Sequence, residues 1–215
     1  MTRKTDDSQS IIEAYCEAHT TQQSELLYRL ERETYLKTLA PQMISGHLQG
    51  QFLTMLSKMV RPVIALEIGT FTGYAAICIA YGLPENARLY TIEVNEELAF
   101  ISHKYFKESG LEEKIHPFLG DAADIVPRLP APFDFVFLDA GKKDYSSHYD
   151  LVIDRVSSGG IIIADNVLWS NKVANSVPDE TTRKLHDFNQ KVQQDTRVEN
   201  ILLPVRDGLM VIRKK

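Results

Sequence analysis

From Pro62 onward the chain switches repeatedly between short β-branched runs and helix-like stretches, and no other feature constrains its fold as strongly. The segments run 63–68, 75–81, 88–93, 96–109, 115–119, 122–129, 133–139, 146–156 and 161–165. Strand, crossover helix and next strand in that rhythm build a mainly parallel sheet with helices on its faces. A further helix is expected over 181–194. Two last runs, 198–203 and 209–213, flank Pro204-Val205-Arg206-Asp207-Gly208 and predict an antiparallel hairpin at one sheet edge.

Residues 1–60 carry almost no strand signal. Leu26, Leu27 and Leu30 recur at helical spacing, as do Leu48, Phe52, Leu56 and Met59, with Pro41 separating the two predicted helices. The expected architecture is a Rossmann-like, doubly wound α/β fold. It has a mainly parallel seven-stranded sheet, a C-terminal antiparallel hairpin and an N-terminal helical cover. No repeat or linker divides the chain, so one domain is expected over 1–215, with 1–60 as cover and 61–215 as core.

Charge and composition narrow the function. With 24 Lys+Arg against 29 Asp+Glu, the formal charge of −5 argues against a broadly basic nucleic-acid or membrane-surface protein. No apolar run approaches the roughly 18 residues of a spanning helix. Met1-Thr2-Arg3-Lys4 is followed by Asp6 and Asp7 where a secretion signal needs an apolar core. Cys16 and Cys78 form no C-x-x-C arrangement and read as reduced thiols. A cytoplasmic protein with no membrane partner is expected.

In open α/β sheets ligands bind outside the carboxyl ends of the strands. The first strand runs into Glu67-Ile68-Gly69-Thr70-Phe71-Thr72-Gly73, and an apolar helix follows at once. Glycines at 69 and 73 permit a tight turn and close approach of a ligand to a helix N-terminus. No Gly-Lys-Ser/Thr of a Walker A loop follows, and Phe71 stands where G-x-G-x-x-G needs its second glycine. Glu93 ends the second strand 20 residues after Gly73, the spacing at which an acid accepts ribose hydroxyls. Gly120-Asp121-Ala122, after the third strand, offers a carboxylate and an amide to an adenine edge. Together these predict an adenosine site.

Asp139 ends the fourth strand and Asp165-Asn166 the fifth. Such oxygen donors, with no His or Cys nearby, suit Mg²⁺. Taken singly, Asp139 reads as a helix cap and Asp165-Asn166 as a turn. Their coincidence beside a cofactor loop favours a cation, because unbalanced acids would raise one another's pKa. Lys142, three residues after Asp139, either stabilises a developing oxyanion as an ammonium or acts as a general base. Lys143 reads as solvated, and Tyr145 and Tyr149 as helix packing. Trp169 either walls an aromatic substrate or fills a loop core. The histidines at 19, 47, 103, 116, 148 and 186 form no ligand pair.

From about Pro41 onward the sequence resembles the cation-dependent, S-adenosylmethionine-dependent class I O-methyltransferases, the group of caffeoyl-CoA and catechol O-methyltransferases and many bacterial relatives. The resemblance rests on Gly50-Gln51-Phe52-Leu53, Leu66 to Tyr74, Ile92-Glu93, Asp139-Ala140 with Lys142, Asp165-Asn166-Val167-Leu168-Trp169, and Asp207-Gly208, in that order. It implies an S-adenosylmethionine site lined by Met43, Ser45, Glu67, Gly69, Thr70, Gly73, Glu93, Asp121, Ala122 and Asp139. It further implies that Asp139, Asp165 and Asn166 hold Mg²⁺, or another divalent cation such as Mn²⁺ or Ca²⁺. Lys142 and Asp139 would be the catalytic residues, Lys142 and Trp169 would face the substrate, and the protein would be a homodimer.

Three positions depart from the pattern. Gly141 replaces the common Asp, Ala75 replaces a Ser that contacts the cofactor, and Ser170 replaces the Asn of the plant enzymes. The expected activity is methyl transfer to a hydroxyl of a small phenolic or catechol-like acceptor, including hydroxycinnamoyl thioesters. Methylation of a hydroxyuridine in tRNA, known among bacterial relatives, is the alternative, disfavoured by the acid excess. An NAD(P)-binding oxidoreductase would share the sheet and the ribose acid but has no use for the acid cluster. A non-catalytic interaction module would lack a ligand or the lysine, and all four are present.

Overall fold

Ile64, Ala65, Leu66, Glu67 and Ile68 form β1 (Ile64–Ile68), whose last four residues are all buried. Such a run, apolar on both faces but for one acid, belongs at the centre of a parallel sheet. The computed structural model describes residues 3–175 and 179–215; Met1 and Thr2, which open the segment read for a secretion signal, lie outside the described residues. The other strands are β2 (Arg88–Glu93), β3 (Ile115–Leu119), β4 (Phe133–Leu138), β5 (Val156–Ala164), β6 (Val198–Leu203) and β7 (Leu209–Lys214). They form one seven-stranded sheet in the order β3-β2-β1-β4-β5-β7-β6. The pairings among β1–β5 are parallel, and β7 runs antiparallel to both β5 and β6. The expected hairpin therefore closes the sheet with β7 inserted and β6 outermost.

The helices are α1 (Arg3–Ala18), α2 (Glu25–Lys37), α3 (Gly46–Val60), α4 (Tyr74–Gly82), α5 (Ala99–Ser109), α6 (Ala122–Ile125), α7 (Tyr145–Ile153) and α8 (Glu180–Gln194). One core joins Leu30 of α2, Leu53 of α3, Ile77 and Ile79 of α4 and Tyr105 of α5 to Phe135 and Phe137 of the sheet. On the opposite face Tyr145, Tyr149, Phe188 and Val192 pack with Leu66, Ile68, Val136 and Leu138. Among the described residues, no helix is long and apolar enough to cross a membrane.

Three local expectations need correction. Among the described residues the N-terminal region holds three α-helices, not two, because α1 precedes the pair read from the leucines. The packed face of α3 is Gln49, Gly50, Leu53, Thr54 and Ser57, whereas Leu48, Phe52 and Leu56 are half-buried and Met59 is 67% exposed. Close approach of α3 to α4 explains this. A Cβ at Gly50 would stand 2.7 Å from the Cys78 sulfur, and one at Gly82 2.5 Å from the Ser57 Cβ, so no side chain fits at these two points of closest approach. Finally, β5 begins at Val156, inside the segment read as helix 146–156, and α7 ends at Ile153. Ser157-Ser158-Gly159-Gly160 has little strand preference. It is carried through by a register shift against β4 between Phe133 and Phe135, with Gly159 at φ +82°.

Candidate functional site

The chain order reverses between β1 and β4, and the loops leaving their carboxyl ends open the crevice in which such sheets bind ligands. Gly69 (φ +105°) lets the β1 loop lie directly on β4, where a Cβ would overlap the Asp139 carbonyl. Its N–H and that of Thr70 donate to the Ile92 carbonyl at 2.9 and 3.2 Å, tying the loop to β2. Gly73 (φ +91°) turns the chain into α4, and a Cβ there would stand 2.7 Å from the Phe106 ring.

Around this loop the acids are held individually. Glu93 Oε2 accepts the Phe71 N–H at 2.7 Å, and Oε1 accepts those of Val94 and Asn95 at 3.0 and 2.9 Å. Glu67 has no exposed surface; the Thr91 hydroxyl donates to its Oε2, and Thr70 and Thr91 join their hydroxyls at 2.5 Å. Its Oε1 has no hydrogen-bond partner. Burial pushes the Glu67 carboxyl well up, against the pull of Thr91 and with further push from Asp139 and Glu93. Asp121 caps α6 by accepting the Ala123 N–H at 2.8 Å, and Ala122 beside it is buried. Gly120, just before them, donates to the Glu93 carbonyl at 2.8 Å. Met43 ends the single turn Pro41–Met43 and is exposed, while Ser45 is buried at the start of α3.

Asp139 and Asp165 leave adjacent strand ends. The Asp139 N–H donates to the Ile68 carbonyl at 2.9 Å and the Asp165 N–H to the Leu138 carbonyl at 3.0 Å. Lys142 Nζ donates to Asp139 Oδ1 at 2.7 Å and to the Tyr145 hydroxyl at 2.8 Å. That hydroxyl in turn lies 3.1 Å from the Leu138 carbonyl and 2.9 Å from the Asp165 carbonyl, spanning both strand ends. Burial pushes Asp139 up to about 7, opposed by Lys142 and reinforced by Asp165. Burial alone would lower Lys142, but Tyr145, Asp139 and Asp165 together hold it up, so it remains an ammonium.

Asn166 adopts a left-handed φ of 54°, which Asn tolerates better than most residues, and directs the chain away from β5. Trp169 is half-buried against the core, with the Lys172 ammonium 6.0 Å from its ring centre. The Asp207 carbonyl accepts the Leu168 N–H at 2.9 Å, and its carboxylate accepts that of Ser170, so the β6–β7 turn braces the loop after Asp165. Among the described residues no three His, Cys, Asp or Glu side chains gather as a metal cluster; the donor set is two carboxylates and an amide.

The structure thus brings the loop 69–73, Glu67, Glu93, Asp139, Lys142, Asp165 and Asn166 to one rim, while Asp121 engages its own helix and Trp169 packs on the core. Lys143 pairs with Glu180 at 3.0 Å between two exposed side chains, as a solvated residue should. Tyr145 and Tyr149 do pack edge-on against Phe188, at 5.4 and 6.2 Å between ring centres. Sequence reasoning missed the hydroxyl of Tyr145, Thr91, Gln49 and Arg206. Gln49 gave one signal, an amide in register with Leu53 on a helix face.

Comparisons with known proteins show the family and the fold. A family model described as O-methyltransferase matches residues 17–215. Caffeoyl-CoA O-methyltransferase 1 of Arabidopsis thaliana is 34% identical over 180 residues, covering 77% of this chain and 69% of the relative. The caffeoyl-CoA O-methyltransferase of Medicago sativa is 32% identical over 180 residues, covering 77% and 72%. The crystal structure of SAH-bound methyltransferase PaMTH1 from Podospora anserina superposes with a TM-score of 0.89 at 26% identity, covering 100% of this chain and 97% of the other. An O-methyltransferase from Bacillus cereus in complex with SAH gives 0.88 at 25% identity, covering 95% and 97%.

Proposed function

The chain belongs to the O-methyltransferase family, and from that premise we propose that it methylates a hydroxyl of a small phenolic or catechol-like acceptor, using S-adenosylmethionine and a divalent cation. One observation carries the reading: the cofactor loop and the Asp139/Asp165/Asn166 donors share a rim at the point where the strand order reverses.

The residues suit both groups. Glu93 is fixed by three backbone N–H donors, two on Oε1 and one on Oε2, and keeps an acceptor site on Oε2 for a ribose hydroxyl. The unpartnered buried oxygen of Glu67, one residue before the loop's lead-in, is an atom that a polar ligand would satisfy. Hard oxygen donors at Asp139, Asp165 and Asn166 match Mg²⁺, with Mn²⁺ or Ca²⁺ as substitutes.

The bound donor supplies a methyl on a positively charged sulfur, and the cation supplies charge that favours the ionised acceptor hydroxyl. A phenol with a pKa near 10 is ionised in only about one molecule per thousand at neutral pH, so charge at the rim matters. Lys142, held by Asp139 and Tyr145, adds an ammonium there, which favours oxyanion stabilisation over general-base action. Orientation of the acceptor oxygen toward the donor supplies much of the remaining acceleration.

The same reading takes residues 1–215 as one domain, supported by the core that Leu30 and Leu53 of the cover share with Phe135 and Phe137. It takes the protein as a cytoplasmic homodimer. Free thiols at Cys16 and Cys78 suit that compartment, and exposed Met55, Met59 and Val63 suit contact with a second copy.

Calorimetry with S-adenosylhomocysteine against NAD comes first, followed by a mass-spectrometric screen of catechols, hydroxycinnamates, their thioesters and tRNA with Mg²⁺. Binding of S-adenosylhomocysteine but not NAD, and EDTA-sensitive methylation of a diphenol, are expected. Binding of NAD alone, or full turnover in excess EDTA, overturns the proposal; methylation of tRNA alone reassigns the acceptor.

A further inference from the structure

Gln49 has no exposed surface, a costly place for an amide unless its hydrogen bonds are made. Its Nε2 donates to Asp165 Oδ2 at 2.6 Å, and Arg206 Nη1 approaches its Oε1 at 3.4 Å. These partners dictate which way the amide faces. A guanidinium only donates and an ionised carboxylate only accepts, so both are served only with Oε1 toward Arg206 and Nε2 toward Asp165. The second oxygen of Asp165, Oδ1, accepts the Asn166 N–H at 2.6 Å. With both oxygens engaged, the carboxylate plane cannot turn. Arg206 is itself anchored, donating to the Ile44 carbonyl at 3.2 Å and to that of Ser45.

We infer that Gln49 is a positioning residue which, oriented by Arg206, presets the Asp165 carboxylate for a divalent cation. The inference rests on the cation site proposed above. A carboxylate already in place loses no rotational freedom when the ion arrives, and that saving appears as affinity. The link also ties the cation to α3, a helix that contributes none of the proposed ligands.

The test is Mn²⁺ binding to the full chain, read by electron paramagnetic resonance, with calorimetry of S-adenosylhomocysteine on the same samples. Gln49→Met keeps the side-chain length and removes the amide. Its Mn²⁺ dissociation constant should rise about 10- to 100-fold, with a changed bound-ion spectrum and S-adenosylhomocysteine affinity within about twofold. Arg206→Lys, which frees the amide to turn, should shift Mn²⁺ binding in the same direction by less. Unchanged Mn²⁺ affinity in Gln49→Met, while the wild type binds the ion, overturns the inference alone. Parallel loss of Mn²⁺ and S-adenosylhomocysteine binding marks a structural role and overturns it too. A wild type that binds no Mn²⁺ removes the cation site and the inference with it.

Discussion

Glu33 in the helical cover and Asp139 at the strand ends are both largely shielded carboxylates, yet their surroundings act on them in opposite directions. Glu33 accepts from Lys104 at 2.5 Å, from Lys37 at 2.7 Å and from the Tyr105 hydroxyl at 2.9 Å. Lys104 and then Lys37 hold it down to about 2, against some opposing burial. Asp139 has one ammonium, Lys142, but burial and the neighbouring Asp165 push it up to about 7. Glu33 is balanced by one ammonium of the cover, Lys37, and one of the core helix α5, Lys104, whereas the rim gathers acid charge that its own side chains do not balance. Sequence composition counts the two alike; only their partners distinguish an acid that joins α2 to α5 from one that suits a ligand.

The sharpest way to break this contrast is Asp139→Asn. Turnover with any acceptor found should fall at least about 10³-fold, equivalent to some 4 kcal/mol of barrier, with S-adenosylhomocysteine binding largely intact by calorimetry. Undiminished turnover would put Asp139 in the same class as Glu33. Glu33→Gln should leave turnover alone and cost stability instead. Its lysine partners are 45% and 52% exposed, so solvent screening limits the loss to about 1 kcal/mol. A melting temperature lower by about 2–4 °C is expected.

The smallest effect is the pH dependence of the metal-free protein. Glu33 titrates below its ordinary 4.5 when folded, so its stabilisation is present above that value and fades as pH falls toward about 2. Asp139 titrates above its ordinary 3.8, so its relative stability is present below that value and lost as pH rises through about 7. Melting curves of each variant against wild type should therefore diverge in opposite senses. The Glu33→Gln deficit closes in acid, and an Asp139→Asn advantage grows toward neutrality. Deviations of the same sign would erase the distinction.

Much of the sheet was legible because its strands are short, apolar and separated by helices. β2, β3 and β6 have the bounds read from the residues, and the loop from Gly69 to Gly73 stands where its glycines require. The early start of β5 was not legible, since Ser157 to Gly160 extend only by pairing with β4. The packed face of α3 escaped for a related reason. Apolar periodicity points to the bulky side chains, but α3 approaches α4 most closely where no side chain fits. Strand-end acids follow from topology, and so could be named. Gln49 meets Asp165 across 116 positions and Arg206 meets Ser45 across 161, contacts that leave no local pattern to read.

The insertion of β7 between β5 and β6 has a consequence for synthesis. A nascent chain that has not reached residue 209 holds β5 paired on one side only, with the other edge free to join a strand of another molecule. The turn carrying Arg206 and Asp207, which braces the Ser45 segment and the loop after Asp165, closes over the crevice only with that last strand. Ribosome stalling or proteolysis ahead of β7 would therefore leave a fragment with an open β5 edge and a crevice not yet braced by Arg206 and Asp207.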